Sequence, residues 1–147
     1  MSAVTQDLMK LYSKRILALA AEIPHIGRLD APGGSAMKRS PLCGSTVTID
    51  VALEDGRIAA FAQDVKACAL GQSSASVLGS NVIGRTRDEI QTARDALHAM
   101  LKSDGPAPGA PFADLEVLAP AKDYKNRHAS ILLAWDATLA AMEEAAA

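Results

Sequence analysis

Aromatic side chains are scarce in this 147-residue chain: one Trp, two Tyr and two Phe make up 3% of it. A core must therefore rest on Leu, Ile, Val and Ala. Cysteine is equally scarce, with two in all. Two cysteines do not make a disulfide-rich secreted scaffold, so free thiols in a reducing cytoplasm are the expected state. No apolar run approaches the roughly 20 residues that span a bilayer, and the N-terminal MSAVTQDLMKLYSKR lacks the uninterrupted apolar segment of a signal peptide. No membrane association is expected. Positive charge is not in excess either: 15 Lys and Arg face 17 Asp and Glu, for a net charge of -2. Without a long basic stripe, nucleic-acid binding driven by phosphate neutralisation is not expected. There is also no Ser–His–Asp order, phosphate-cradling Gly loop or paired-carboxylate motif, so the chain does not read as an enzyme. Hydrophobic residues at 49% and charged residues at 22% describe an ordinary globular protein. The length suits one domain spanning residues 1–147.

Residues 6–21 place Leu8, Leu11, Tyr12, Ile16, Leu19 and Ala20 at helical spacing, and Pro24 and Gly27 end that helix. Residues 28–45, rich in Gly, Pro and Ser, read as a surface loop with a short strand near Met37. In TVTIDVAL, Val47, Ile49, Val51 and Leu53 alternate with Thr46, Thr48 and Asp50, the period of a half-buried strand. EDGR supplies a turn at Gly56, and IAAFAQDV returns as the second strand of a hairpin. Residues 72 to about 83 predict a short helix of small residues ended by Gly84. TRDE is a capping box, with Thr86 and Glu89 reciprocal. The helix it opens carries Ile90, Ala93, Leu97 and Leu101 and stops before Gly105. GPAPGAP reads as a linker-like loop. From about Asn126 a last amphipathic helix carries Ile131, Ala134, Trp135, Thr138 and Met142. This order predicts an α+β fold: a small antiparallel sheet of about three strands with helices on one face. Two strands alone are marginal, so a third from residues 35–40 is expected to complete the sheet.

Cys43, in SPLCGS, precedes the first strand of the hairpin, and Cys68 follows the second. Antiparallel pairing sets the start of one strand beside the end of the next, so the two cysteines should meet at one end of the sheet. Free cysteine is also a common small core residue; the matching positions beside Gly44 and Gly71 favour a site. Cys68 lies near a helix N-terminus with Lys66 two residues before it, and both features favour the thiolate. His25 in a loop and His98 on a charged helix read as surface residues. His128, in NRHAS at the start of the last helix, is the better candidate ligand.

These segments resemble the U-type iron–sulfur scaffold family: IscU, SufU and the N-terminal domain of NifU. The similarity runs from about Leu11 to Met142. SPLCGSTVTIDVALEDGRI is similar to the motif Asn-Pro-x-Cys-Gly-Asp followed by an alternating strand and an Asp-Gly turn. ACALGQSSASVL is similar to the second cysteine with its small-residue helix, and VIGRTRDE to the next helix start. ADLEVLAPAKDYKNRHASILLAW looks nearest the SufU branch, where an insert precedes a third cysteine and a Leu-Ala-Trp segment. The family's site is three cysteines and an aspartate. Cys43 and Cys68 match it, the aspartate position is Ser45, and the third cysteine is absent. Aligned on Leu-Ala-Trp, Ser130 takes its place; aligned on the His-Cys-Ser-x-Leu pattern, Ala129 does, with His128 at the family's histidine.

The resemblance implies a scaffold or carrier in iron–sulfur cluster assembly. It would take sulfur from a cysteine desulfurase and supply recipient iron–sulfur apoproteins. A metal or cluster site would use Cys43, Cys68 and His128. Two thiolates and one imidazole would hold iron or Zn²⁺ with an open position, or a cluster loosely. Two alternatives remain open on the same fold: a zinc-binding sulfur acceptor that serves a desulfurase, and a non-metal interaction or thiol-redox module.

Overall fold

A computed structural model of the chain describes residues 12–41 and 44–146. Leu8 and Leu11 of the expected first helix, and Cys43, lie outside them. Helix α1 spans Lys14–Ala21, and the Ser13 hydroxyl accepts from the Ile16 N–H at 3.3 Å as its N-cap. Three antiparallel strands follow in spatial order: β1 (Gly34–Arg39), β2 (Thr46–Glu54) and β3 (Arg57–Lys66). The expected third strand is β1, in register with Met37 opposite Thr48. In β2, Val47, Ile49 and Val51 are buried, as their alternation requires. Asp55 and Gly56 both take positive φ, 52° and 76°, at the β2–β3 turn. That is the backbone a tight two-residue hairpin demands, and Asp-Gly meets it with little strain.

Helix α2 (Ala69–Asn81) starts directly after β3, with Cys68 as its N-cap residue (φ −67°, ψ 170°). It begins three residues earlier than small-residue composition alone suggested, because the strand leads straight into the cap. Nine of its residues, Leu70, Gly71 and Ser73–Gly79, are buried. A helix buried on nearly all sides needs small residues and satisfied hydroxyls, and both are present. Ser73 Oγ donates to Ile16 O at 2.8 Å, and Ser74 Oγ donates to Ile131 O at 2.7 Å while accepting from Trp135 Nε1 at 2.9 Å.

Helix α3 (Arg87–Ser103) opens with the capping box: Thr86 Oγ1 accepts from the Glu89 N–H at 3.2 Å, and Glu89 Oε1 accepts from the Thr86 N–H at 3.1 Å. After the 104–112 loop the chain forms a 3₁₀ segment, Ala113–Asp123, for which the sequence analysis names no element. Its buried residues, Leu115, Leu118 and Ala121, recur every three positions, the period of that helix.

The last helix, α4 (Lys125–Ala146), is the centre of the molecule rather than an amphipathic cover. It packs on β1, β2, α2 and α3. Ile131 through Trp135 are all buried in succession, so a one-sided stripe describes it poorly. Gly34 lets β1 close on it, since a Cβ there would stand 2.1 Å from Ala141 O. Phe112 meets Trp135 edge to face at 5.0 Å. One hydrophobic cluster draws on every element. Among the described residues, no helix is long and apolar enough to cross a membrane.

Candidate functional site

Thr46 pairs with Lys66, so the start of β2 and the end of β3 meet at one end of the sheet. The turn between β1 and β2 reaches the same end, since Arg39 pairs with Thr46. That turn is closed by Ser40 N–H to Ser45 O at 2.8 Å and by Gly44 N–H to Ser40 O at 2.9 Å. Gly44 takes φ 69°, where glycine is favoured. Cys43 belongs to this turn in sequence, and its own placement lies outside the described residues. Cys68, half-buried and free, sits two residues past Lys66 at the cap of α2.

What faces Cys68 comes from α4. Ser130 Oγ lies 3.6 Å from Cys68 Sγ and donates to Ser45 Oγ at 3.1 Å. Ser45 and Ser130 are both buried. Gly71 allows this approach: a Cβ there would sit 2.7 Å from Ser130 Oγ and 2.9 Å from Ala67 Cβ. The small residues after Cys68 therefore serve close contact between α2 and α4. Of the two alignments open in the sequence, the one that sets Ser130 at the third cysteine agrees with the residue that faces Cys68.

Burial pushes the Cys68 thiol up, yet its pKa falls below the ordinary value. The Gly71 N–H, the Ser130 hydroxyl, the Leu70 N–H and the charge of Arg127 together outweigh burial. No side-chain capping bond of ordinary geometry forms at Cys68. The N–H dipoles at the start of α2 favour the charged sulfur all the same. Among the causes that favour the thiolate, the cation is Arg127, from α4.

His128 is buried, and its Nε2 lies 2.8 Å from Ala121 O in the 3₁₀ segment. Two helical residues are separated by about 200° around the axis, so His128 and Ser130 project to opposite sides of α4. The contacts of His128 are thus with the 3₁₀ segment, whereas those of Ser130 are with Cys68 and Ser45. Among the described residues, no group of three or more His, Cys, Asp or Glu side chains is arranged to hold a metal ion. His25 is exposed, with its ring edge to face on Phe61.

Sequence reading also missed a buried charge. Asp50, read as an outward polar position of β2, is fully buried. It accepts from Arg28 Nε at 2.7 Å, from the second Arg28 nitrogen at 3.0 Å, from the Leu29 N–H at 3.0 Å and from Ser35 Oγ at 2.6 Å. An acidic residue amid Ile49 and Val51 was the only signal for it.

A thiol acidified at a strand–helix junction, set against two serines at one end of a three-stranded sheet, defines a small thiol-bearing α+β protein. The chain belongs to the NifU-like N-terminal domain family, whose profile matches residues 11–131. It is 25% identical over 123 residues to the iron–sulfur cluster assembly scaffold protein IscU of Streptococcus pyogenes serotype M1, covering 83% of this chain and 76% of that one. The protein of the same name from Thermotoga maritima is 25% identical over 125 residues, covering 85% and 87%. The crystal structure of the N-terminal part of a nitrogen-fixing NifU-like protein from Brucella abortus superposes with a TM-score of 0.93 at 48% identity, covering 95% and 97%. A SUF-system scaffold structure from Fervidobacterium islandicum AW-1 gives 0.82 at 19% identity, covering 91% and 98%, a likeness of fold.

Proposed function

We propose that this chain serves iron–sulfur cluster assembly as a scaffold or carrier. It accepts sulfur from a cysteine desulfurase and passes iron and sulfide, as cargo, to recipient apoproteins. The observation that carries this reading is the family match over residues 11–131, which spans both cysteines. The two curated relatives are named as scaffold proteins of cluster assembly. The acidified Cys68 thiol supports the same role, because the thiolate is the form that attacks sulfur and binds metal. The single core of the described residues supports reading the chain as one domain, and the free Cys68 thiol fits the cytoplasm.

The sulfur step needs only what this thiolate supplies. Cys68 S⁻ attacks the outer sulfur of a donor persulfide, R–S–SH. The new S–S bond leaves Cys68–S–SH, and the donor's S–S bond breaks to release R–S⁻. No electron is gained or lost overall. The role is acceptance and transfer rather than turnover.

Cys43 and Cys68 are the proposed thiolate ligands of the cargo, the only two thiols in the chain. Ser45 and Ser130 are neutral hydroxyls near pH 7 and bind metal poorly. His128 projects from the opposite side of α4 to Ser130, against the 3₁₀ segment, away from Cys68. A closed zinc site takes four protein ligands, and a tightly held cluster takes four thiolates, so this donor set does not fit a resident zinc. It fits cargo held by two thiolates, with the remaining positions open to exchange with a donor or recipient.

Metal and acid-labile sulfide analysis tests this, on protein purified without chelator or metal affinity and then reconstituted anaerobically with ferrous iron and sulfide. Iron with sulfide, lost in Cys43→Ser and in Cys68→Ser, is the expected result. Zinc alone would shift the assignment to a zinc-dependent sulfur acceptor. Neither metal would leave a thiol-redox or interaction module.

A further inference from the structure

Ser40 and Ser45 stand opposite each other where β1 and β2 run into their turn: Arg39 pairs with Thr46, and the Ser40 N–H donates to Ser45 O at 2.8 Å. Side chains alternate along a strand, so both serines lie on the face that carries Ala36, Val47 and Ile49. That face packs on α4. Ser130 reaches them from α4, 3.1 Å from Ser45 Oγ and 3.6 Å from Cys68 Sγ. All three serines are buried. The Ser40 hydroxyl, in a residue 1% exposed, has no hydrogen-bond partner among the described residues.

A buried hydroxyl without a partner is costly in a resting fold. Its presence is explained if a partner arises during the chemistry. At rest Ser130 donates to Ser45. A hydroxyl rotates and can donate in either direction. Negative charge on the Cys68 sulfur reverses the row: Ser130 donates to Sγ, Ser45 turns to donate to Ser130, and Ser45 offers its freed lone pair to Ser40. Each hydroxyl in such a row strengthens the next. Neutral hydroxyls suit a passing charge on sulfur better than a resident cation.

We propose that Ser130, backed by Ser45 and Ser40, receives the charge that returns to Cys68 when sulfur leaves it, which makes Cys68 a ready sulfur donor. This role presupposes the sulfur acceptance proposed above. In the hand-off a recipient thiolate, R–S⁻, attacks the outer sulfur of Cys68–S–SH. The bond in R–S–SH forms, the S–S bond to Cys68 breaks, and its electron pair stays on Sγ as Cys68–S⁻. The outer sulfur keeps its proton, and no electron is gained or lost overall. A stabilised thiolate leaves faster and lies lower at equilibrium. Ser130 touches the sulfur, whereas Ser45 and Ser40 act through it as positioning residues.

The test uses the full chain in a Cys43→Ser background, without iron and without oxygen, at about pH 9, above the ordinary cysteine pKa. Glutathione persulfide loads Cys68, excess glutathione draws the sulfur back, and intact mass gives the persulfidated fraction at equilibrium. Ser130→Ala should shift the equilibrium toward bound sulfur about tenfold, because a hydrogen bond to a charged group is lost. Ser45→Ala should shift it about threefold, and add little in the Ser130→Ala background, since it acts through Ser130. Ser45→Ala also probes the row without touching α4, should Ser130→Ala fold poorly. Ser40→Ala should shift it about threefold with the thermal midpoint unchanged or raised, because its hydroxyl is unpaired at rest. Ser45→Thr keeps the hydroxyl and should not shift it. Ser73→Ala, which removes a buried hydroxyl of α2 bonded to Ile16 O and Ala69 O, should not either. No sulfur on Cys68 in the parent chain would overturn acceptance and this role with it. Loading with one equilibrium across the Ser40, Ser45 and Ser130 variants, or an equal shift in Ser73→Ala, would overturn this role alone.

Discussion

Cys68 Sγ lies 3.6 Å from Ser130 Oγ, across the contact between the start of α2 and the first turns of α4. Ser130 in turn donates to Ser45, so the positions that resemble the family's third cysteine and aspartate are linked as hydroxyls. Hydroxyls hold iron far less well than a thiolate and a carboxylate. Ser45→Asp with Ser130→Cys should therefore raise the iron and sulfide kept through gel filtration by about tenfold, the effect of roughly 1.4 kcal/mol. Ser130→Ala, which adds no ligand, should not. If the double substitution gains nothing, Ser45 and Ser130 do not border the cargo.

The acidity of Cys68 can be read directly. In a Cys43→Ser background, the rate of alkylation should rise with pH through a midpoint below that of an ordinary thiol, because the folded pKa is lowered. Ser130→Ala and Arg127→Gln should each move the midpoint up, since each removes a group that favours the thiolate. Lys66→Gln should leave it in place. A shift on Lys66→Gln and none on the other two would show that the causes assigned here are wrong.

Much of the fold is legible in the residues because each signal is local. Val47, Ile49 and Val51 alternate, Asp55-Gly56 makes the turn, and Thr86 with Glu89 caps α3. The small residues after Cys68 already announce a buried helix. What escapes is what the fold joins from afar. Ser45 and Ser130 are 85 positions apart. Arg28, which neutralises Asp50, precedes it by 22, and an alternating pattern alone assigns Asp50 to solvent. Leu115, Leu118 and Ala121 repeat every three residues beside Pro120, a weak signal among loop-forming residues. The centrality of α4 is hidden for another reason: burial on most sides erases the one-sided pattern by which a helix is usually read.

Asp50 should stabilise the fold in a pH-dependent way. Hydrogen bonds from Arg28 lead the causes that hold its carboxyl at about 2, against the opposing effect of burial. A folded pKa below the unfolded one means stability that is present above the unfolded value, near 4, and lost as pH falls toward about 2. Asp50→Asn should cost roughly 2 kcal/mol near neutral pH by urea denaturation, with the difference from wild type narrowing toward pH 3. A difference that stays constant with pH would mean that packing, not charge, explains the loss.

His128 gives the opposite kind of test, because its ring is buried rather than paired with charge. A carbonyl partner fixes the proton on Nε2, which leaves Nδ1 as a buried acceptor without a hydrogen-bond partner among the described residues. Burial is the largest cause that lowers its pKa, and the positive charge of Lys102 acts in the same direction. The carbonyl oxygens of Ala121 and Lys122 oppose them and do not prevail. The unfolded chain therefore takes up this proton first as pH falls below about 6.5, and stability declines until the folded ring protonates as well. His128→Phe should flatten the urea midpoint between about pH 7 and pH 5, where wild type declines. His128→Ala should cost about 1–3 kcal/mol through the lost hydrogen bond and the space it leaves. The protein that remains folded should retain its iron and sulfide at pH 7, because the contacts of the ring are with the 3₁₀ segment and not with Cys68. Loss of that cargo from folded His128→Ala protein, measured per mole after gel filtration, would make His128 a ligand and reverse this reading.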